Sequence, residues 1–196
     1  MTDTTIINKI IKFYGLDKLN SLTKYPSILT YHETAERGSL APNLVENKNF
    51  SNYEKIYLTE KIDGTNSRVV FVTNNEGAPC DFLIGSREDF LHAKGDRIIN
   101  PALGIVDTVY REVVNGCLSL AGLSTFSTIF KPNHLYVIYG ETYGGKINGA
   151  KQYTNIQAYN FRAFDIIEMD LPSAYGILSM KQEDISSWRE HGGQPF

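Results

Sequence analysis

Residues 57–71, with the sequence YLTEKIDGTNSRVVF, place an Asp-Gly pair between two strand-like runs. Asp-Gly between apolar runs is a strong signal for a β-hairpin, because glycine accepts a positive φ without steric cost. The sequence therefore predicts an antiparallel hairpin with strands over residues 57–61 and 67–73 and with Asp63 and Gly64 at its corner. An exposed lysine beside such a turn would by itself indicate only a surface hairpin.

The remaining segments predict a chain that mixes strands with helices. A helix is expected at about residues 4–14, with Asp3 or Thr4 as its N-cap and Gly15 as its end. The other predicted elements are strands over residues 81–85, 135–139 and 161–167, a helix from Asn100 and Pro101 to Gly116, and a helix over about residues 181–189. Since the strands occur in pairs with helices between them, the expected fold class is α+β, with mainly antiparallel sheets and flanking helices.

Composition limits the domain count and the surroundings of the protein. Hydrophobic residues make up 42% of the 196 residues and no linker is visible, so residues 1–196 are expected to form a single domain with the helix at about 4–14 as an appendage. The net charge of −3 provides no bulk positive field, and any contact with nucleic acid needs a local basic face. Cys80 and Cys117 lack metal-ligand spacing and are expected as free thiols. No signal pattern or membrane-length apolar run occurs, which predicts a cytoplasmic protein without membrane contact.

Four groups of polar residues lie where strands are predicted to end. They are EKIDGTN at residues 60–66, GSR at residues 85–87, GETYG at residues 140–144 and FD at residues 164–165. These groups supply a lysine nucleophile, a carboxylate suited to ribose hydroxyls, an arginine suited to phosphate or sugar, and an aromatic ring for a base. Together these residue types predict a nucleotide-binding pocket.

The Lys-x-Asp-Gly sequence at residues 61–64 resembles the nucleophile motif of the covalent nucleotidyltransferases, which include ATP-dependent DNA and RNA ligases and mRNA capping enzymes. The longer string EKIDGTN is similar to the RNA ligases of the double-strand-sealing type, because Asn66 stands where DNA ligases usually have an arginine. YGETYGG and FRAFDI resemble two later motifs of the family, and KYPSI resembles its N-terminal lead-in. The resemblance covers about residues 25–170 and implies the fold of the ATP-grasp-like ligase adenylylation domain.

The resemblance also implies a role for each matched residue. Lys61 would be the nucleophile that attacks the α-phosphate of ATP in the presence of Mg²⁺ and forms lysyl-AMP. Glu141 would bind ribose, Phe164 would stack on adenine, and Asp165 would hold the pocket or a hydrated metal ion. The other residues implied in binding the nucleotide or the RNA end are Glu60, Ile62, Asp63, Gly64, Asn66 and Arg87. No metal ligand is assigned.

The sequence departs from the family pattern after Asp165. The family continues with a Glu-Gly motif and with a motif of two lysines that contact the triphosphate, and neither follows Asp165 in this sequence. The chain is therefore expected to be an N-terminal part of the adenylylation domain, as a fragment, a truncated gene or a degenerate relative. The predicted function is ATP-dependent ligation of nicked or broken RNA ends, with DNA less favoured. The alternatives are a non-catalytic nucleotide- or RNA-binding remnant and a DNA ligase or capping-type nucleotidyltransferase.

Overall fold

The computed structural model describes residues 5–27, 32–36, 39–44, 55, 57–93, 96–97, 104–120, 130–147 and 158–191. The chain divides into two compact units. One combines Met1–Tyr25 with Ile62–Phe196 and is called the sheet unit below; the other, Pro26–Lys61, is called the small unit. The expectation of a single partial adenylylation domain over residues 1–196 stays a prediction.

The small unit contains a pair of short antiparallel strands. Strand β1 (His32–Thr34) pairs with β2 (Leu40–Leu44), and His32 lies opposite Leu44. The His32 ring is held by Nδ1, which lies 3.1 Å from the backbone oxygen of Ala41. This pairing was not predicted, because the short runs around it carry no alternating apolar pattern.

The sheet unit is built on a six-stranded antiparallel sheet, counted over the described ranges. Its strands are β3 (Thr65–Thr73), β4 (Pro79–Ser86), β5 (Phe90–Ala93), β6 (Asp96–Arg97), β7 (His134–Gly144) and β8 (Tyr159–Asp170). Their spatial order is β6-β5-β4-β3-β7-β8, and every neighbouring pair is antiparallel. The predicted strands at 81–85, 135–139 and 161–167 lie within β4, β7 and β8. With the helices around this sheet, the predicted α+β class is confirmed.

Helices cover both faces of this sheet. They are α1 (Ile6–Tyr14), α2 (Leu16–Thr23), α3 (Ile105–Val109), a π-helical turn (Tyr110–Val114), α4 (Asn115–Leu120), α5 (Leu171–Leu178) and α6 (Gln182–Glu190). Side chains alternate along β3, so Val70 and Val72 pack with α1, α2, α5 and α6, whereas Val69 and Phe71 pack with the helical segment that starts at Ile105. On α6, Trp188 packs against the first of these two cores. The predicted helix at 181–189 is confirmed, and its observed bounds lie one residue further along the chain.

The N-terminal helix is part of the core and not an appendage. Its stripe of isoleucines buries Ile7 and Ile10, which are 1% and 2% exposed. The backbone N–H of Ile7 donates to Asp81 Oδ2 at 2.9 Å, and this bond ties the first turn of α1 to β4. Thr5 serves as the N-cap, while Gly15 ends the helix as predicted, with φ of 93°.

The predicted hairpin at residues 57–73 is wrong, although its second strand, at 67–73, lies within β3. Residues 57–63 form no strand, and β3 begins only at Thr65 and pairs with β4 and β7. Gly64 does not have a positive φ. A β-carbon built there would lie 2.4 Å from the backbone oxygen of Thr142, so this glycine permits a close approach to β7 and does not form a turn.

The predicted helix at 100–116 is partly correct. Asn100 and Pro101, its proposed start, lie outside the described residues. The described helical segment begins at Ile105 after Gly104, passes through the π-helical turn and continues through Gly116 to Leu120. In the described part of the chain, no helix is long and apolar enough to cross a membrane.

Candidate functional site

The sheet brings four of the predicted site residues to one level of the fold. A transverse row of directly paired residues crosses four neighbouring strands and consists of Ser86, Ser67, Gly140 and Ala163. Each of the four predicted residues follows or precedes a member of this row in the chain: Arg87, Asn66, Glu141 and Phe164. Antiparallel pairing therefore gathers residues that are almost 100 positions apart in the sequence.

Asn66 and Glu141 form the centre of this arrangement. They lie directly opposite each other on β3 and β7, so their side chains share a face of the sheet at a Cβ separation of about 5 Å. The Asn66 Oδ1 atom is buried and has no hydrogen-bond partner among the described residues. Leaving such an acceptor unsatisfied costs about 1–3 kcal/mol. A ligand that donates a hydrogen bond beside Glu141 would remove this cost.

The backbone around Gly64 is pressed against β7. A β-carbon at Gly64 would lie 2.7 Å from Glu141 Cγ as well as 2.4 Å from the Thr142 oxygen. One residue further along each strand, the hydroxyl groups of Ser67 on β3 and Thr142 on β7 hydrogen-bond at 2.7 Å in a buried position. These contacts fix the start of β3 against the strand that carries Glu141.

Lys61 and Glu60 are the last two residues of the small unit, and both are exposed. Ile62, the first residue of this part of the sheet unit, is half-buried, and Asp63 is exposed. None of the four lies in a regular element. Their predicted roles in nucleotide binding and catalysis stay predictions.

Arg87 lies in a tight turn that follows β4. The Ser86 hydroxyl caps this turn by accepting from the backbone N–H groups of Glu88 and Asp89, at 3.2 and 3.1 Å. The Arg87 side chain is exposed, with its Nε 3.7 Å from a carboxylate oxygen of Glu88. That carboxylate is held more closely by Lys24, at 2.5 Å, and the Lys24 ammonium keeps the pKa of Glu88 below its ordinary value. The Arg87 guanidinium is therefore presented to solvent.

Phe164 is the extra residue of a bulge in β8. The β7–β8 register shifts between Tyr139 and Gly140, whose partners are Asp165 and Ala163. The Phe164 ring is 50% exposed, and its one described ring contact is with Tyr25, at 5.2 Å between centroids and 82° between planes. An aromatic ring that is half exposed is suited to stacking on a base.

Asp165 is engaged within the protein. It lies opposite Tyr139, and the Tyr25 hydroxyl hydrogen-bonds to its carboxylate. Burial, together with the negative charge and this hydrogen bond of Asp165, raises the pKa of Tyr25. Burial also raises the pKa of Tyr139 to about 12, and its hydroxyl donates to the Thr23 oxygen at 2.9 Å. Asp165 thus holds Tyr25, whose ring packs against the Phe164 ring.

Sequence reasoning missed two residues of this region, Tyr25 and Arg68. Tyr25 belongs to the KYPSI segment, and no role was predicted for it. Its ring contacts Tyr139 and Phe164, which no local sequence pattern indicates. Arg68 is a charged residue within the apolar run SRVVF, and a charge at a strand position that should be buried was the available signal. Its side chain is fully buried.

The described residues offer no protein cage for a metal ion. Among them, no three histidine, cysteine or carboxylate side chains are grouped so that they could hold a metal. Mg²⁺ commonly binds through one or two carboxylates together with substrate phosphates and water.

Comparison with protein families gives one match to this chain. A family model described as RNA ligase matches residues 54–191, which is well over half of the chain and includes every predicted site residue. Comparison with curated proteins and with solved structures gave no match.

Proposed function

Because the chain belongs to the RNA ligase family, we propose that it is an ATP-dependent RNA ligase that works through a lysyl-AMP intermediate at Lys61. The observation that carries the proposal is the pairing of Asn66 with Glu141 across β3 and β7, where the buried Asn66 Oδ1 finds no hydrogen-bond partner in the described part of the chain. A carboxylate beside a free amide acceptor suits the vicinal hydroxyl groups of a ribose, which can donate to both.

The nucleotide is proposed to lie along the row of paired residues that crosses the sheet. Glu141 and Asn66 accept from the ribose hydroxyls, and Phe164 stacks on the adenine ring. The exposed guanidinium of Arg87 contacts a phosphate, for which its planar fork is suited. Mg²⁺ enters with the substrate, bound to the phosphates of ATP.

The residues around the nucleophile have supporting roles in this proposal. Glu60 contacts the edge of the adenine, while Ile62 and Asp63 line the path of the chain past the nucleotide. Gly64 lets that path approach Glu141, since any side chain there would collide with β7. Asp165 holds Tyr25 and, through it, the Phe164 ring.

The first chemical step is nucleophilic substitution at phosphorus. The neutral Lys61 amine attacks the α-phosphorus of ATP, a P–N bond forms, and the bond from that phosphorus to the oxygen bridging the β-phosphate breaks. Pyrophosphate leaves, and the nitrogen loses a proton to solvent. The amine has to be neutral for this attack, because a protonated amine has no lone pair to donate.

The remaining steps use RNA ends as substrates. The 5′-phosphate of one end displaces Lys61 from the AMP phosphorus, which gives an RNA-adenylate and the free lysine. The 3′-hydroxyl of the other end then attacks the 5′-phosphate, a phosphodiester forms, and AMP leaves. RNA is favoured over DNA because Asn66 stands at the position where DNA ligases usually carry arginine.

The test is covalent labelling of the natural protein that contains this chain. Incubation with α-labelled ATP and Mg²⁺ is expected to give a labelled protein whose bond is labile in acid and stable in alkali, as for a phosphoramidate. Lys61→Ala is expected to abolish the label. Lys61→Arg, which keeps the positive charge but not the amine, is expected to abolish it as well. A label that survives both substitutions would refute Lys61 as the nucleophile, and ATP binding without any label would support a non-catalytic binding protein.

A further inference from the structure

The turn that carries Arg87 is attached to a fully buried arginine on the neighbouring strand. Arg68 lies on β3 opposite Gly85, two residues before Arg87 on the chain of β4. Its Nη1 donates to the backbone oxygen of Arg87 at 3.1 Å. Its side chain is 0% exposed, yet it forms no ion pair with a carboxylate among the described residues.

A second residue extends this attachment to the next peptide. The Asn20 side chain accepts from Arg68 Nη2 through Oδ1 and donates through Nδ2 to the backbone oxygen of Glu88, at 2.7 Å for the latter. Arg68 therefore binds two consecutive carbonyl groups of the turn. It binds that of Arg87 directly and that of Glu88 through Asn20. The planar fork of Arg68 suits its own two acceptors, the Arg87 oxygen and Asn20 Oδ1.

The surroundings of Arg68 are shaped to hold its guanidinium in this position. The group lies over the Phe90 ring, 4.8 Å from the centroid, where a cation is attracted to the ring face. A β-carbon at Gly85 would come within 3.1 Å of Arg68 Nε and 3.0 Å of the Asp89 oxygen, so the glycine leaves room for both. Burial lowers the pKa of Arg68 to about 10, and the group stays charged at neutral pH.

Burying this cation has a cost that sheet packing does not offset. Arg68 Nε has no hydrogen-bond partner among the described residues, and buried arginines without a carboxylate are uncommon. A methionine of similar volume would fill the same space between Gly85 and Tyr139 without that cost. Methionine cannot supply the attraction of a cation to the Phe90 ring, nor the pair of hydrogen bonds to Arg87 and Asn20 that reaches the turn.

We propose that Arg68 is a positioning residue for Arg87: it fixes the backbone of the 86–89 turn so that the exposed Arg87 guanidinium meets a phosphate of the bound nucleotide or of the RNA end. The inference rests on the proposed ligase function for the identity of the ligand. The attachment itself stands on the contacts of Arg68, Asn20 and the turn.

The experiment compares Arg68→Met, Arg68→Lys and Asn20→Ala with Thr73→Val in the natural protein that contains this chain. Thr73 is a matched control, because it is also buried on β3 and its hydroxyl bonds to the Lys131 oxygen and the His134 N–H, away from the turn. Amide hydrogen exchange is read first. Arg68→Met and Asn20→Ala are expected to speed exchange selectively at residues 87–89, and Thr73→Val is expected to leave those amides unchanged. Equal exchange at the turn in all variants would overturn the inference.

The functional readout separates the two sources of phosphate. Formation of the Lys61 adduct is titrated with ATP, and sealing by the adenylylated protein is titrated with nicked RNA. Arg68→Met is expected to raise the half-saturating concentration of whichever substrate Arg87→Ala affects, by up to about 100-fold, and Arg68→Lys is expected to recover part of the loss. The double variant Arg68→Met/Arg87→Ala is expected to be no worse than Arg87→Ala, because the turn then has no guanidinium to position.

The inference would be overturned if the losses of Arg68→Met and Arg87→Ala added up in the double variant. It would also be overturned if Arg68→Met weakened binding of one substrate, ATP or nicked RNA, while Arg87→Ala weakened binding of the other. If the wild-type protein forms no Lys61 adduct, the proposed function fails, and hydrogen exchange at the turn still decides whether Arg68 holds it. The two failures are therefore distinguishable.

Discussion

A β-carbon at Gly64 would come within 2.7 Å of Glu141 Cγ and 2.4 Å of the Thr142 backbone oxygen. Gly64→Ala is therefore expected to displace the start of β3 from β7, at a cost of about 1–3 kcal/mol in the free energy of unfolding, because a backbone oxygen cannot rotate away as a side chain can. Urea denaturation followed by circular dichroism measures this change. The same variant is expected to bind ATP more weakly, since Glu141 moves with β7.

Gly116→Ala provides the control for this substitution. Gly116 lies in α4, no atom of the described residues lies within 4 Å of its β-carbon position, and its φ is not positive. Alanine is expected to stabilise the protein by about 0.5–1 kcal/mol, because it lowers the entropy of the unfolded chain and favours the helix. If both variants lost stability equally, the close approach at Gly64 would not explain the effect.

The buried hydroxyl pair of Ser67 and Thr142 is expected to stabilise the same junction. Thr142→Val removes one partner of a 2.7 Å hydrogen bond and leaves the Ser67 hydroxyl with its other bond, to the Thr65 oxygen. The expected loss is about 1 kcal/mol. In a double-mutant cycle with Ser67→Ala, the combined loss is expected to be smaller than the sum of the single losses. Strict additivity would show that the two hydroxyl groups do not interact.

Substitution of Phe164 is expected to affect nucleotide binding more than stability. Its ring is 50% exposed, so Phe164→Ala removes little buried surface, whereas loss of stacking on adenine costs about 1–3 kcal/mol of binding free energy. Ile166→Ala is the matched control, because Ile166 lies on the same strand and is 56% exposed. Titration calorimetry with a non-hydrolysable ATP analogue measures both. Equal affinity in the two variants would contradict the stacking role.

The cap of α5 gives a pH-dependent prediction. Asp170 accepts from the backbone N–H and the hydroxyl of Ser173, and these bonds hold its pKa below the ordinary value of 3.8. A carboxylate with a lowered folded pKa stabilises the protein above its unfolded pKa and loses this effect as pH falls through the folded pKa. The stability advantage of wild type over Asp170→Asn is therefore expected to be constant near neutral pH and to vanish in acid. An advantage that does not decrease at all as the pH falls below the unfolded pKa would argue against the cap.

The sequence predicted the central strands well because their apolar residues are buried on both faces. Val69, Val70, Phe71 and Val72 form a continuous apolar run, and a strand covered by helices on both sides requires such a run. The hairpin prediction failed because it depended on a local pattern that fits two different structures. Asp-Gly is as compatible with a close approach as with a turn, and the deciding neighbour, Thr142, is far away in the sequence.

The helix at 105–120 shows a second limit of periodic patterns. Across the π-helical turn, the buried residues Val109, at the end of α3, and Val114 are five positions apart instead of three or four. A strict 3.6-residue period continued from Val106 would place Tyr110 on the apolar face, whereas this residue is 38% exposed. Gly116 was expected to end this helix, but it lies inside α4, where no positive φ is needed.

The candidate site could be predicted as a set of residues but not as a surface. Motif resemblance identified Asn66, Arg87, Glu141 and Phe164, and strand pairing was needed to show that they share one level of the sheet. Arg68 and Tyr25 act through contacts with residues distant in the sequence, and no local pattern encodes such contacts.

The only tryptophan of the chain gives the protein a built-in optical probe. Trp188 packs against the core formed by α1, α2, α5 and α6, beside Arg189, whose guanidinium donates to the Lys24 oxygen at 3.2 Å. Its emission therefore reports on the helical layer next to Tyr25, and a denaturation curve recorded at tryptophan wavelengths belongs to the sheet unit. The small unit contains no tryptophan, and its unfolding has to be followed with an introduced fluorophore.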